Sequence, residues 1–157
     1  MNTDVLFSSK IMTYSTPQWL FDIVNSEFNF TLDACADETN HKCERYFSID
    51  DNGLIQDWSG ETVWINPPYG RDQKSWIIKA HEEFVAHDVT SVLLIPARVD
   101  TAIFHDVIFP YASQIRFIRG RLKFSGHQNS APFPSCLVIF DKTKGYKNRF
   151  EWVTFRN

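Results

Sequence analysis

Asn66-Pro67-Pro68-Tyr69 combines a side-chain acceptor, two residues without a backbone N–H, and an aromatic face. That set suits a reaction in which an exocyclic amine attacks an activated methyl group. An amine conjugated to a ring is a poor nucleophile, because its lone pair is delocalised into the ring. Two acceptors on its hydrogens, the Asn66 side-chain oxygen and the Pro67 carbonyl, draw the nitrogen toward tetrahedral geometry and free the lone pair. Proline suits the second position because its φ is pre-set and only its carbonyl remains for bonding. Tyr69 offers a flat face to an extruded planar base. Catalysis of this kind is positioning plus electrostatics, with no covalent intermediate. Without that chemistry, the same residues make a proline-rich turn after a core strand.

Positioning such a group requires a strand that stops at a sheet edge. Val63-Trp64-Ile65 reads as that strand, ended by the prolines. Ligands of open α/β folds sit at such strand ends. Upstream, Thr16 reads as a helix N-cap with Pro17 at the first helical position, and Trp19, Leu20, Ile23 and Val24 share one face of a helix over 17–26. The helix start also borders a cofactor on the functional reading. Phe28 to Leu32 alternates as a strand running into Asp33-Ala34-Cys35-Ala36-Asp37. Arg45-Tyr46-Phe47-Ser48 reads as a short strand before a turn rich in carboxylates, Asp50-Asp51-Asn52-Gly53, which is either solvated or binds ribose hydroxyls. Asp57-Trp58 either holds and stacks an adenine ring or packs there.

Downstream, residues 72–86 predict an amphipathic crossover helix, with Trp76, Ile77, Ala80 and Phe84 inward and Lys79, Glu82 and Glu83 on the opposite face. Val92-Leu93-Leu94-Ile95 reads as a strand buried on both faces, so strand, helix and strand make a right-handed parallel unit. A second helix is expected over 100–109. Residues 114–124 read as an extended segment with Arg119, Arg121 and Lys123 on one face and Ile118, Leu122 and Phe124 on the other. Such a basic stripe either contacts phosphates or is a solvated strand face. Residues 136–140 form another core strand. Lys142, Lys144, Lys147 and Arg149 lie on a basic turn before a last strand over 150–155.

Length and composition bound the answer. A chain of 157 residues makes a single domain with a sizeable core, and residues 1–13 read as an irregular lead-in. No apolar run is long enough for a membrane span, and no signal-peptide pattern is present. Cys35, Cys43 and Cys136 read as reduced thiols in a cytoplasm. Cys35, His41 and Cys43 lack paired metal-ligand spacing, so no metal is expected. A formal charge of −3 counts against coating nucleic acid non-specifically, but not against a local basic groove.

The residues then resemble a known family in successive blocks. These are Thr16-Pro17-x-Trp19, Leu32-Asp33-x-Cys35-Ala36, Asn40-x-Lys42-Cys43, Tyr46-Phe47 and Asp57-Trp58. They continue through Trp64-x-Asn66-Pro67-Pro68-Tyr69-Gly70, Pro96-Ala97-Arg98-x-Asp100-Thr101, Arg119-Gly120-Arg121-Leu122-x-Phe124 and Ala131-Pro132-Phe133-Pro134-Ser135. Together they are similar to the phage and prophage DNA N-6-adenine methyltransferases of Dam type, in order over residues 14–140. The resemblance implies a Rossmann-like class I methyltransferase fold. Its central sheet would be mostly parallel, with an antiparallel strand near the C-terminus and helices on both faces. It also implies S-adenosyl-L-methionine as methyl donor and adenine in double-stranded DNA as acceptor, with the protein a monomer or weak dimer.

Residue by residue, the resemblance puts Thr16 and Pro17 at the cofactor's methionine end and Asp33 beside the first-strand loop. Asp57 falls near the cofactor adenine, and Asn66, Pro67, Pro68 and Tyr69 at methyl transfer. Asp50 is a candidate for the ribose, and Arg98, Arg119, Arg121, Lys123 and Phe124 for DNA. The glycine-rich loop of the wider superfamily is replaced here by Asp33 to Asp37. Within enzymes, Asn-Pro-Pro-Tyr also serves methylation of RNA guanine amines and of protein glutamine, and a catalytically silent nucleic-acid-binding module is the alternative from another class.

Overall fold

Val63, Trp64 and Ile65 are fully buried and, with Thr62, form the strand that the prolines end. The computed structural model describes residues 14–144 and the backbone of a last strand at Phe150–Val153. The lead-in, Lys147, Arg149 and the end of the last predicted strand lie outside the described residues.

The strands are β1 (Leu32–Asp33), β2 (Thr62–Ile65), β3 (Thr90–Pro96), β4 (Gln114–Ile118), β5 (Ser135–Phe140) and β6 (Phe150–Val153). They form one sheet in the order β1-β2-β3-β5-β4-β6. β1, β2 and β3 pair in parallel, and β4 pairs in parallel with β6. β5 is inserted antiparallel between β3 and β4. Five strands therefore share a direction and one near the C-terminus opposes it, a mostly parallel α/β sheet.

Alternation along the buried strands builds two apolar layers. Val63, Ile65, Leu93, Ile95, Cys136 and Val138 face helix α2 (Gln73–His87), which contributes Trp76, Ile77 and Ala80. Trp64, Val92, Leu94, Leu137 and Ile139 face helix α1 (Gln18–Phe28), which contributes Leu20, Phe21 and Val24. Helices thus cover both faces. The helix expected over 100–109 forms with a π-helical middle, Phe104–Ile108, and joins the α2 layer through Phe104 and Ile108.

Several expectations are corrected. Phe28 belongs to α1, and strand pairing begins only at Leu32, because Asn29 takes a left-handed conformation and returns its N–H to Asn25 O at 2.8 Å. The Asn25 side chain then accepts from Phe30 N at 2.8 Å, which holds the chain out of the ladder. Around residue 46 there is one parallel bridge, Asp33↔Tyr46, and no named strand. Glu83 is 8% exposed and packs inward, because Lys79 reaches it at 2.7 Å while also donating to Gln56 O at 2.6 Å. Trp58 is fully buried and donates to Gly53 O at 3.0 Å, so it packs and does not stack on a ligand. β4 ends at Ile118, and Gly120 with φ +75° turns the chain, yet Arg119, Arg121 and Lys123 remain exposed while Leu122 and Phe124 are buried. Lys142 and Lys144 pair with Asp88 and Glu27.

Candidate active site

The C-terminal ends of β1 and β2 open into a cavity of about 250 Å³. The register sets Asp33 beside Trp64, and Ala34 N donates to Trp64 O at 3.0 Å, so the two strand exits stay locked together. The walls are residues 14–16, the loop from Asp33 through Asp37 to Asn40 and Lys42, Phe47 to Ile49 with Asn52 and Gly53, and Trp64 with Asn66 to Tyr69, while Trp76 reaches in from α2.

Asn66 is oriented by a segment far away in sequence. Its side-chain Nδ2 donates to Tyr14 O at 2.7 Å and to Thr16 Oγ1 at 3.1 Å. A backbone carbonyl only accepts, so the amide nitrogen must face Tyr14 and the amide oxygen must face away. That oxygen, Oδ1, is buried and has no hydrogen-bond partner among the described residues. Buried polar atoms are nearly always paired; of those without a partner among the described residues, Asn66 Oδ1, Tyr69 OH and Trp64 Nε1 belong to residues lining this cavity. Thr16 does not cap α1: Pro17 occupies the cap position without a side-chain bond, because the Thr16 hydroxyl is taken by Asn66. Tyr69 lies beside it, its OH also buried and unpartnered, and burial raises its phenol so that it stays neutral.

The first-strand loop is built on a buried carboxylate. Asp33 is 3% exposed and accepts from Lys42 N at 2.9 Å and Cys35 N at 3.3 Å. Burial outweighs those bonds and pushes its carboxyl up to about 7. Opposite, Gly53 is buried because nothing larger fits: a Cβ there would meet Ala34 O at 2.2 Å and Trp76 at 2.9 Å. Gly53 thereby does locally what a glycine-rich loop does elsewhere, letting backbone come close to backbone.

A second, more open cavity shares Tyr14 and Tyr69 with the first. Its rim carries Arg71, Lys74 and Arg98, all exposed and without an ion pair among the described residues. Where the two cavities meet, the Tyr14 ring lies 4.8 Å from Tyr69, 5.4 Å from Phe124 and 5.6 Å from Phe133, centroid to centroid.

Of the residues expected at a site, Thr16, Asp33, Asn66, Pro67, Pro68 and Tyr69 share the first cavity, and Arg98 borders the second. Phe124 is 2% exposed and touches the aromatic group rather than lining either cavity. Pro17, Asp50 and Asp57 line neither cavity. Asp57 is exposed and accepts from Ser59 N at 2.8 Å, and in the carboxylate turn it is Asn52 and Gly53 that reach the cavity. Among the described residues, the group with metal-ligand proximity is Asp57, Glu83 and His87, outside both cavities. Sequence reading missed Tyr14, Asn40, Phe47, Gly53, Arg71 and Lys74. Of these, Arg71 and Lys74 were legible as cations directly after Asn66 to Gly70, Asn40 and Phe47 stood in the resembling blocks and Gly53 in a turn without a site role attached, and Tyr14 carries no local signal.

A mostly parallel α/β sheet with a cavity at its strand exits is the frame in which ligands of open α/β folds sit. The family model described as DNA N-6-adenine-methyltransferase (Dam) matches residues 7–155, and the chain belongs to that family. It is 30% identical over 142 residues to a DNA N-6-adenine-methyltransferase of Haemophilus phage HP1, covering 85% of this chain and 80% of that protein. A DNA N-6-adenine-methyltransferase of Escherichia phage T1 is 34% identical over 93 residues, 58% of this chain and 38% of that protein.

Proposed function

We propose that the chain transfers the methyl group of S-adenosyl-L-methionine to N6 of an extruded adenine in double-stranded DNA. The family supplies the reaction, DNA adenine-N6 methylation. One observation carries the mechanism: the unpartnered Oδ1 of Asn66, whose amide nitrogen is held by Tyr14 and Thr16. Asn66 Oδ1 accepts one hydrogen of the adenine amine and the Pro67 carbonyl accepts the other. Both contacts strengthen as the nitrogen gains positive charge in the transition state. Tyr69 stacks on the base, and Pro68 keeps the turn rigid. Phe124 backs Tyr69 from the core.

The first cavity suits the cofactor, which supplies an electrophilic methyl on a cationic sulfur. Asp33 offers a carboxylate to a cationic group, and Gly53 and Ala34 leave the narrow space in which a flat or extended ligand lies against backbone. Thr16 lies at its methionine end. Asp50 and Asp57 have no part in this reading, and Pro17 acts by starting α1. Arg71, Lys74 and Arg98 on the second cavity, with Arg119, Arg121 and Lys123, hold phosphates of the duplex.

The reversed β5 and the helices on both faces support a single Rossmann-like class I methyltransferase domain, which on this reading works as a monomer or weak dimer in a host cytoplasm. No helix among the described residues is long and apolar enough to cross a membrane. The test is transfer of labelled methyl from S-adenosyl-L-methionine to duplex DNA, RNA and protein in parallel. Label on adenine N6 of duplex DNA is the expected result; label confined to RNA or to protein overturns the DNA reading.

A further inference from the structure

We infer that Thr16 is a positioning residue that acts through Asn66, holding the amide in the one orientation that aims its oxygen at the substrate; this rests on the reading of Asn66 as an acceptor. An asparagine amide has two donors on nitrogen and an acceptor on oxygen, and a rotation about its last bond exchanges them. In Asn66 both donors are engaged, one by Tyr14 O at 2.7 Å and one by Thr16 Oγ1 at 3.1 Å. Tyr14 O refuses an oxygen partner outright. Tyr14 O sets which end is nitrogen, and the Thr16 hydroxyl, accepting the second N–H, fixes the amide plane about that bond.

The segment is itself tied down. Thr16 is 2% exposed, and its hydroxyl is not spent on capping α1. Ser125 N donates to Ser15 O at 3.0 Å, and Ser125 Oγ donates to Thr16 O at 3.2 Å. Residues 15–16 are therefore clamped between Asn66 and the loop that follows the exposed Arg119 and Arg121. A freely rotating amide presents nitrogen to the substrate amine part of the time, and donor against donor is repulsive. Fixing the rotation removes that population before the base arrives.

The experiment is a double-mutant cycle in single-turnover methylation, with S-adenosyl-L-methionine affinity measured alongside by calorimetry. Thr16→Val keeps the shape and removes the hydroxyl. It is expected to slow turnover at saturating cofactor about tenfold, the loss of one net hydrogen bond. Thr16→Ser restores the hydroxyl and the rate. On an Asn66→Ala background, Thr16→Val is expected to add no further loss, because its target is already gone. Thr16→Ala serves the same cycle if Thr16→Val does not fold. A full additional loss on that background, or weakened cofactor binding at unchanged turnover, overturns the inference and leaves Thr16 a cofactor contact. A slow Asn66→Ala beside a wild-type-fast Thr16→Val also overturns it while sparing the mechanism, whereas a fast Asn66→Ala overturns both.

Discussion

The Asn66 side-chain nitrogen lies 2.7 Å from the backbone carbonyl of Tyr14 and 3.1 Å from Thr16 Oγ1, so the side chain spends its donors within the protein and, on the proposed reading, keeps its oxygen for the substrate. This changes what Asn66→Asp should do. As an acceptor alone, position 66 would tolerate a carboxylate better than alanine. Asn66→Ala also leaves Tyr14 O without its donor, but an aspartate in addition sets a charged oxygen against that carbonyl, a repulsion that offsets its gain as an acceptor. Asn66→Asp should therefore be no faster than Asn66→Ala in single-turnover methylation at neutral pH. A rate tenfold above that of Asn66→Ala would show that the amide donors are dispensable.

Asp33 makes the site sensitive to pH. Burial raises its carboxyl to about 7, so the folded protein without ligand favours the neutral acid. The stability this contributes is complete below the unfolded value of 3.8 and is lost as pH rises through about 7. A cationic cofactor has the opposite preference, for the carboxylate. S-adenosyl-L-methionine affinity should therefore rise with pH from about 6 to about 8, by at most about tenfold per unit. Asp33→Asn should flatten that profile and the melting temperature's fall over pH 4 to 7. A variant with an unchanged affinity profile would remove Asp33 from contact with the cofactor's charge.

Gly53 should not tolerate a methyl group. Its Cβ would fall 2.2 Å from the Ala34 carbonyl, which is backbone and cannot swing aside. Gly53→Ala should cost about 1–3 kcal/mol and weaken cofactor binding together with stability. Thermal melts with and without S-adenosyl-L-methionine measure both. An unchanged melt would mean that residues 47–53 shift freely against β1.

Two groups of exposed cations stand where the proposed function puts the duplex. Arg71, Lys74 and Arg98 border the cavity beside Tyr69, whereas Arg119, Arg121 and Lys123 stand on the loop after β4. Replacing a residue that holds a phosphate with Ala should reduce the salt slope of DNA binding by about 1, with cofactor affinity intact. A wild-type slope would return that residue to a solvated role. The comparison also ranks the two groups, which lie far apart in sequence.

The fold was largely legible because its strands are short, apolar and sharply ended. Pro67 and Pro68 stop β2, Pro96 closes β3, and the run from Cys136 to Phe140 has no other reading. The core of the site was legible for the same reason: Asn66 to Tyr69 is contiguous, and so is the loop after Asp33. What escaped depends on contacts between distant segments. Thr16 read as a helix cap because Thr-Pro has that form locally, and its bond to a residue fifty positions away leaves no trace in the spacing. Gly53 looked like turn punctuation, although its smallness is set by Ala34 and Trp76. Asp50 looked like a ribose contact because carboxylates in turns suit hydroxyls, and Asp57 like a contact to the cofactor adenine, yet Asp57 accepts from Ser59 at the surface.

The central claim is that Asn66 Oδ1 is the preorganised acceptor for the amine undergoing methylation. Single-turnover methylation of an adenine-containing duplex by Asn66→Ala, with folding checked by circular dichroism and cofactor affinity by calorimetry, tests it most directly. The account predicts a loss of roughly a hundredfold, on the order of 3 kcal/mol, at near-unchanged S-adenosyl-L-methionine affinity. A folded Asn66→Ala that methylates at close to the wild-type rate would contradict it and reduce the motif to a turn.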